Sequence, residues 1–367
     1  MTQGVLPRRD LNTEYTHLPP EEMAQRLSQA KHRLGNQVLI LGHHYQRDEV
    51  IRYSDVRGDS LKLARIGAEQ KETEYIVFCG VHFMAETADI LSQSHQKVIL
   101  PDLSAGCSMA DMADVMRVQV AWEDLSDLLG PSPVTPITYI NSSADLKAFC
   151  GQEGGIVCTS SNSEKVLQWG LNQRGKVLFF PDQHLGRNTA KKIGFKDEEI
   201  ILWNPDEDLG GNSEDAILKA KIILWYGFCS VHQVFLPQHV LQFREKYPNI
   251  KIISHPECRQ EVVDLSDLSG STEVIIQTVQ KAPSGSKWAI GTELNLVNRL
   301  KEECPDKEIF FLSPTVCMCS TMYRIDPPHL LWALENLLEG QVVNQIRVPE
   351  PTKSFAKKAL DRMLLNS

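Results

Sequence analysis

A threefold internal repeat constrains this chain more than any other feature of its sequence. One copy begins at the strand-like run QVLILG and reaches His43, with Ser60 and then Cys107 further along. A third copy begins at KIISHPE and reaches His255, with Thr272 and then Cys319 further along. The step from His43 to Ser60 equals that from His255 to Thr272, and the step from His43 to Cys107 equals that from His255 to Cys319. The middle copy runs from ITYIN (Tyr139, Asn141) through the TSS at 159–161 to Cys229. Its stretch from Asn141 to Cys229 is longer, because extra residues precede its last strand. Two independent spacings that agree between such distant segments are hard to obtain by chance, and such self-similarity marks a repeated supersecondary unit.

Each copy alternates short β-rich runs with helical periodicity, the pattern of parallel strands joined by crossover helices. The first copy reads as strand QVLILG, helix GDSLKLARIGAE, strand YIVFCG, helix HFMAETADILSQ and strand KVILPD. The second gives ITYIN, SADLKAFC, SSNSEKVLQWG, KVLFFP, HLGRNTAKKIG and IILW before GFCSVH; the third gives IKIISH, RQEVVDLSDL, GSTEVIIQTVQ, KWAIG, TELNLVNRLKEEC and EIFFLSP. The expected fold is α/β, with three homologous three-layer αβα domains in pseudo-threefold arrangement around a central active site. Boundaries are expected at 1–36 (an extension and helix), 37–130, 131–245, 246–345 and 346–367 (a helical tail). The middle domain carries an insert near 204–222, whose acidic part from Asn204 to Asp215 reads as a surface loop. PPEEMAQRLSQAKHRLGN is a well-marked helix, with proline and acids at its start and glycine at its end.

Composition narrows the function classes. The 367 residues are 42% hydrophobic and 23% charged, as in ordinary globular proteins. A net charge of −9 without a long basic run argues against nucleic acid or an anionic membrane as partner. No apolar stretch is long enough to span a bilayer, and MTQGVLPRRDLNTEY lacks the apolar core of a secretory leader, so a cytoplasmic protein is expected. The nine cysteines then read as thiols rather than a disulfide framework.

The repeat selects Cys107, Cys229 and Cys319 from those nine. Cys79, Cys150, Cys158, Cys258 and Cys304 have no matching cysteine in the other copies and read as structural. Three thiolates brought together from distant loops suit a metal. Structural zinc usually takes four ligands, often in Cys-x-x-Cys pairs, which this pattern lacks. An iron–sulfur cubane on three thiolates leaves one iron open as a Lewis acid, suited to dehydrating a hydroxy acid. The plain alternative is three buried thiols.

In parallel sheets, ligands sit beyond the carboxyl ends of strands. Here those ends carry His43, Tyr45, Tyr139, Asn141, His255 and Glu257. The next strand–turn–helix of each copy opens on Ser60, Ser160, or Ser271 with Thr272. Hydroxyls and free N–H groups at helix starts favour anions, although capping is the commoner role for a single one.

The stretches GHHYQRDEV, GDSLKLAR, GVHFMAETADIL, LPDLSAGCSMAD, YINSSADLKA, CTSSN, PDQHLGR, GFCSVH, HPEC, GSTEVI and GTELNLVNRL, with the late Cys-Ser-Thr-Met, carry a family resemblance. Over nearly its whole length the chain resembles the quinolinate synthases of de novo NAD biosynthesis. The resemblance implies condensation of iminoaspartate with dihydroxyacetone phosphate to quinolinate, with release of phosphate and water. It implies three α/β domains around one [4Fe–4S] cluster held by Cys107, Cys229 and Cys319, with one open iron. Substrate contacts then fall on His43, Ser60, Tyr139, Asn141, Ser160, His255, Glu257 and Thr272, with Ser271 beside them. Glu257, His43, Tyr45, Tyr139 and His255 carry the chemistry, and Tyr45 matches a tyrosine that closes over the substrate. An L-aspartate oxidase or dehydrogenase would supply iminoaspartate. Two features depart from the pattern: the longer middle copy, and the pair Cys317-Met-Cys319, where some relatives carry a longer cysteine group. Cys319 is favoured as ligand because its spacing mirrors that of Cys107. Two other readings compete, a different three-thiolate hydro-lyase and a non-catalytic iron–sulfur sensor. A nucleotide-binding protein is disfavoured, because no strand is followed by a dinucleotide glycine fingerprint.

Overall fold

The structure, a computed structural model, describes residues 11–366. The N-terminal stretch MTQGVLPRRDLNTEY therefore falls largely outside the described residues. Fourteen strands are described: β1 (Val38–His43), β2 (Val56–Gly58), β3 (Tyr75–Cys79), β4 (Lys97–Ile99), β5 (Thr135–Tyr139), β6 (Ile156–Cys158), β7 (Val177–Phe180), β8 (Ile200–Trp203), β9 (Ile222–Trp225), β10 (Lys251–Ser254), β11 (Leu268–Ser269), β12 (Lys287–Gly291), β13 (Glu308–Phe311) and β14 (Gln345–Ile346). They form three sheets, ordered β2-β1-β3-β4-β14, β6-β5-β7-β9-β8 and β11-β10-β12-β13. Among these strands every pairing is parallel except that of β14 with β4. The fold is α/β, with mostly parallel sheets flanked by helices. Central strands such as β1, β3 and β7 are buried at every residue, as expected of strands covered on both faces.

All three sheets share a core order, the second strand of the copy beside the first, then the third, then the strand that leads to the candidate cysteine (β4, β9 or β13); β14 and β8 are added at the edges of the first and middle sheets. The likeness extends to single hydrogen bonds. Ile40 N–H donates to Asp55 Oδ2 at 2.8 Å, and Ile252 N–H donates to Asp267 Oδ2 at the same distance. A 3₁₀ turn follows shortly after each candidate cysteine (Ala110–Met112, His232–Val234, Met322–Arg324). A helix then follows at the same offset in every copy (Val115–Leu129, Pro237–Lys246, Pro327–Leu338).

The described chain divides into two compact units. The first holds the chain up to Gly58, Lys62–Gly106 and Ser320–Arg347; the second holds Asp59–Leu61, Cys107–Cys319 and the chain from Val348 on. In the first unit, the expected N-terminal helix spans Pro20–Leu34, with proline in its first turn and Gly35 after its end. It packs on the helix Pro327–Leu338, and Arg26 donates to both oxygens of Glu335 at 2.9 and 2.6 Å. Residues 320–347 thus pack with the first sheet although they follow the third copy in sequence.

In the second unit the tail forms the helix Thr352–Leu365, which buries Ala356, Ala359, Leu360 and Met363 and packs on the helix Ala144–Gln152. The contact is so close at Gly151 that a Cβ there would lie 1.9 Å from the Phe355 carbonyl oxygen. Just before the insert, residues Ile200–Trp203 form an edge strand, β8, whose residues IILW lie in register beside the identical IILW of β9. The acidic stretch after β8 forms a 3₁₀ turn at Asp208–Gly211 and then enters the helix Glu214–Lys219, capped by Ser213. Polarity hid these turns because their backbone bonds are local and need no apolar face. Among the described residues, no helix is long and apolar enough to cross a membrane.

Candidate active site

The turn after β10 places Pro256 and Glu257 directly behind His255, and Glu257 N–H donates to His255 Nδ1 at 3.3 Å. The first copy makes the same turn after β1, where Tyr45 N–H donates to His43 Nδ1 at 3.2 Å. Glu257 is buried at 3% exposure and is met from several sides. Tyr139 Oη, at the end of β5, donates to Glu257 Oε1 at 2.6 Å. His232 Nδ1 lies 2.8 Å from Glu257 Oε2, and His255 Nδ1 lies 3.9 Å from Oε1. The two imidazoles stack with centroids 4.6 Å apart, and His232 Nε2 lies 3.3 Å from the Thr292 hydroxyl.

These contacts decide charge. Burial pushes the Glu257 carboxyl up, but His232 and His255, with hydrogen bonds from His232 and Tyr139, outweigh it and hold the group down at about 2. Nearby Asp182 goes the other way: burial first, and then the charge of Glu257, drive its carboxyl well above the ordinary range.

Cys107, Cys229 and Cys319 all belong to the second unit. Burial pushes the Cys107 thiol up to about 12, and the charges of Cys319 and Glu257 add to this. The Cys229 thiol is driven up by burial, then by Glu257, and further by Cys107 and Cys319. A charge on any one of the three would therefore raise the thiols of its neighbours. Cys317 is raised by burial, by Cys319 and by Glu293. Cys79, Cys150, Cys158, Cys258 and Cys304 are buried, whereas Cys107, Cys229, Cys317 and Cys319 are half-buried. Sγ of Cys229, a ring nitrogen of His232 and a carboxylate oxygen of Glu257 lie within 4.8 Å of one another.

The other sequence-derived residues fall as follows. His43 ends β1 in the first unit, and its ring meets Tyr45 edge-on at 4.8 Å. Ser60 opens the helix Ser60–Glu69; beside it, Asp59 Oδ2 accepts a hydrogen bond of 2.9 Å from Ser161 Oγ. Ser160 stands in the turn before the helix Ser163–Arg174, whose N-cap is Asn162, so it does not itself begin a helix. It lines a cavity of about 310 Å³ together with Pro256 and Gly270. Ser271 caps the helix Thr272–Lys281, accepting from Val274 N–H at 3.5 Å, and both Ser271 and Thr272 are buried. Asn141 Oδ1 is buried and has no hydrogen-bond partner among the described residues, an orphan acceptor just past the end of β5.

Comparison with known proteins supplies the family. The model of the family described as "Quinolinate synthetase A protein" matches residues 25–365. The chain belongs to this family. It is 54% identical over 361 residues to a quinolinate synthase of Rhodopirellula baltica, an alignment covering 95% of this chain and 92% of that one. It is 53% identical to the quinolinate synthase of Corynebacterium glutamicum, across 99% of this chain and 91% of the relative. A quinolinate synthase of Geobacillus sp. is 54% identical, over 97% and 96% of the two chains.

Three members of the centre escaped sequence reasoning. His232, Asp182 and Glu293 are buried beside residues that the repeat picked out. His232 carried a signal in the spacing Cys229-Ser-Val-His232, but the matching positions of the other copies hold Ala110 and Met322, so repetition did not mark it. Asp182 and Glu293 occupy equivalent positions, just beyond the ends of β7 and β12. Acids there read as ordinary helix caps.

Proposed function

We propose that the chain is a quinolinate synthase, condensing iminoaspartate with dihydroxyacetone phosphate to quinolinate with release of phosphate and water, a step of NAD biosynthesis. The observation that carries this is a buried Glu257, bonded to Tyr139 and paired with His232, with the sulfur of Cys229 within 4.8 Å, in a chain of that family. A [4Fe–4S] cluster held by Cys107, Cys229 and Cys319 is part of the proposal, as is the pseudo-threefold order of the copies about it. The donor set fits. These thiols lose their protons reluctantly in their buried setting, so a bound metal is what would draw the protons off. When bound, such a cluster supplies a Lewis-acidic iron to a substrate oxygen or nitrogen.

The chain's own groups do the rest. Glu257 takes and returns protons during keto–aldehyde tautomerisation and imine formation, and Tyr139 and His232 hold its carboxylate in one orientation. His255 and His43 donate to substrate oxygens, and Tyr45 covers the bound molecule. Ser60, Ser160, Ser271 and Thr272 bind carboxylates and phosphate through charge-assisted hydrogen bonds. The orphan Asn141 Oδ1 accepts from the substrate. Iminoaspartate, unstable in water, would come from an enzyme that oxidises L-aspartate.

Replacing Glu257 by Gln removes the base and keeps the shape. Quinolinate formation from the two substrates should fall about a hundred- to ten-thousand-fold, with metal content and thermal midpoint close to wild type. Full activity in Glu257→Gln, or turnover of a hydroxy acid without dihydroxyacetone phosphate, would favour the sensor or the alternative hydro-lyase.

A further inference from the structure

Glu293 begins the helix Leu294–Glu303 and is completely buried. Its Oε2 accepts the backbone N–H groups of Asn295 and Leu296, at 2.7 and 3.4 Å. Its Oε1 accepts from the Asn295 side chain at 3.0 Å and from the backbone N–H of Cys319 at 3.4 Å. One carboxylate therefore joins the helix start to the loop bearing a candidate sulfur ligand.

The middle copy caps its equivalent helix with an acid as well. Asp182 begins the helix Gln183–Lys192, is fully buried, and accepts from Leu185 N–H through Oδ1 at 2.7 Å. Its Oδ2 has no hydrogen-bond partner among the described residues, and the Cys229 loop is tied to this helix start by the backbone instead, where Gln183 N–H donates to the Gly227 carbonyl at 2.9 Å. In the first copy the equivalent position is Val81, which makes no side-chain capping bond.

We propose that Glu293 is a positioning residue that fastens the Cys319 loop to the helix start beneath it, holding that sulfur in place for the cluster. This rests on the three-cysteine reading above. The groups that orient a metal's ligands commonly matter ten- to a hundred-fold in metal affinity. A carboxylate accepts at both oxygens, whereas a carboxamide accepts at one and donates at the other. Glu293→Gln therefore keeps the helix cap but turns an NH₂ group toward the cysteine loop.

The test uses full-length protein reconstituted without oxygen, the rate of iron release to a ferrous chelator, and the thermal midpoint of the same samples. Glu293→Gln should release iron about tenfold faster than wild type or more, with a midpoint near wild type. Ser213→Ala removes a cap far from any candidate ligand in sequence and serves as control, since it should lower the midpoint and leave iron release unchanged. A wild-type release rate in Glu293→Gln would overturn the proposal. So would equal acceleration in Ser213→Ala, because release would then follow stability alone. A reconstituted wild type that holds no iron would overturn the cluster reading itself, a result separate from either.

Discussion

Glu257 keeps a negative charge in a buried place because two imidazoles and a phenol face it there. The sign of a pH effect follows. A base held well below the ordinary carboxylate range stays ionised far into acid, so the acid limb of kcat/KM should lie low. Tyr139→Phe removes one of the groups that lower it, and the limb should move to higher pH by about one unit, the scale of a hydrogen bond to a charged group. A pH–rate profile of the variant checks this, and an unmoved limb contradicts the role given to the Tyr139–Glu257 bond. At this scale the sequence was legible wherever the copies agree. Cys107, Cys229 and Cys319 were picked by spacing, and His43 and His255 make matching turns. His232 was not legible, because one copy alone places a histidine there. Ser160 shows the opposite failure: its TSS motif suggested a helix start, but Asn162 caps that helix.

Among the elements, long strands and helices followed their periodicity closely. QVLILG, YIVFCG, KVLFFP and KWAIG all became buried parallel strands. The short second strands β2, β6 and β11 did not stand out, since such brief runs carry no periodicity. The partner of β8 was not legible for another reason. Pairing between β8 and β9 is a long-range fact, and IILW repeated in the sequence does not reveal that the two runs lie side by side. Gly210 holds the turn after β8. Its φ is +64°, and an added Cβ would come within 2.4 Å of the buried Trp203 ring. Gly210→Ala should therefore cost about 2–3 kcal/mol in denaturant unfolding, through backbone strain and overpacking. Iron content should not change, because the fault lies in the sheet edge. An unaltered unfolding midpoint would show that β8 contributes nothing to the stability of its sheet.

For the molecule as a whole, three sheets of one core strand order explain why a single chain supplies three matching cysteines. Each copy is an α/β unit with ligands expected past its strand ends, and in each the loop after the last parallel strand carries one candidate cysteine. The repeat was visible in sequence because it is written in spacings. The packing of residues 320–347 with the first sheet was not, because β14 pairs with β4, a strand of the first copy far back along the chain. The central claim is that three sulfurs serve one inorganic cluster, and metal analysis tests it most directly. Protein purified without oxygen should carry about four irons and four sulfides per chain. Cys107→Ser, Cys229→Ser or Cys319→Ser should each abolish that content, while Cys79→Ser and Cys317→Ser retain it. One zinc per chain without sulfide, or full iron content in any of the first three variants, would contradict it.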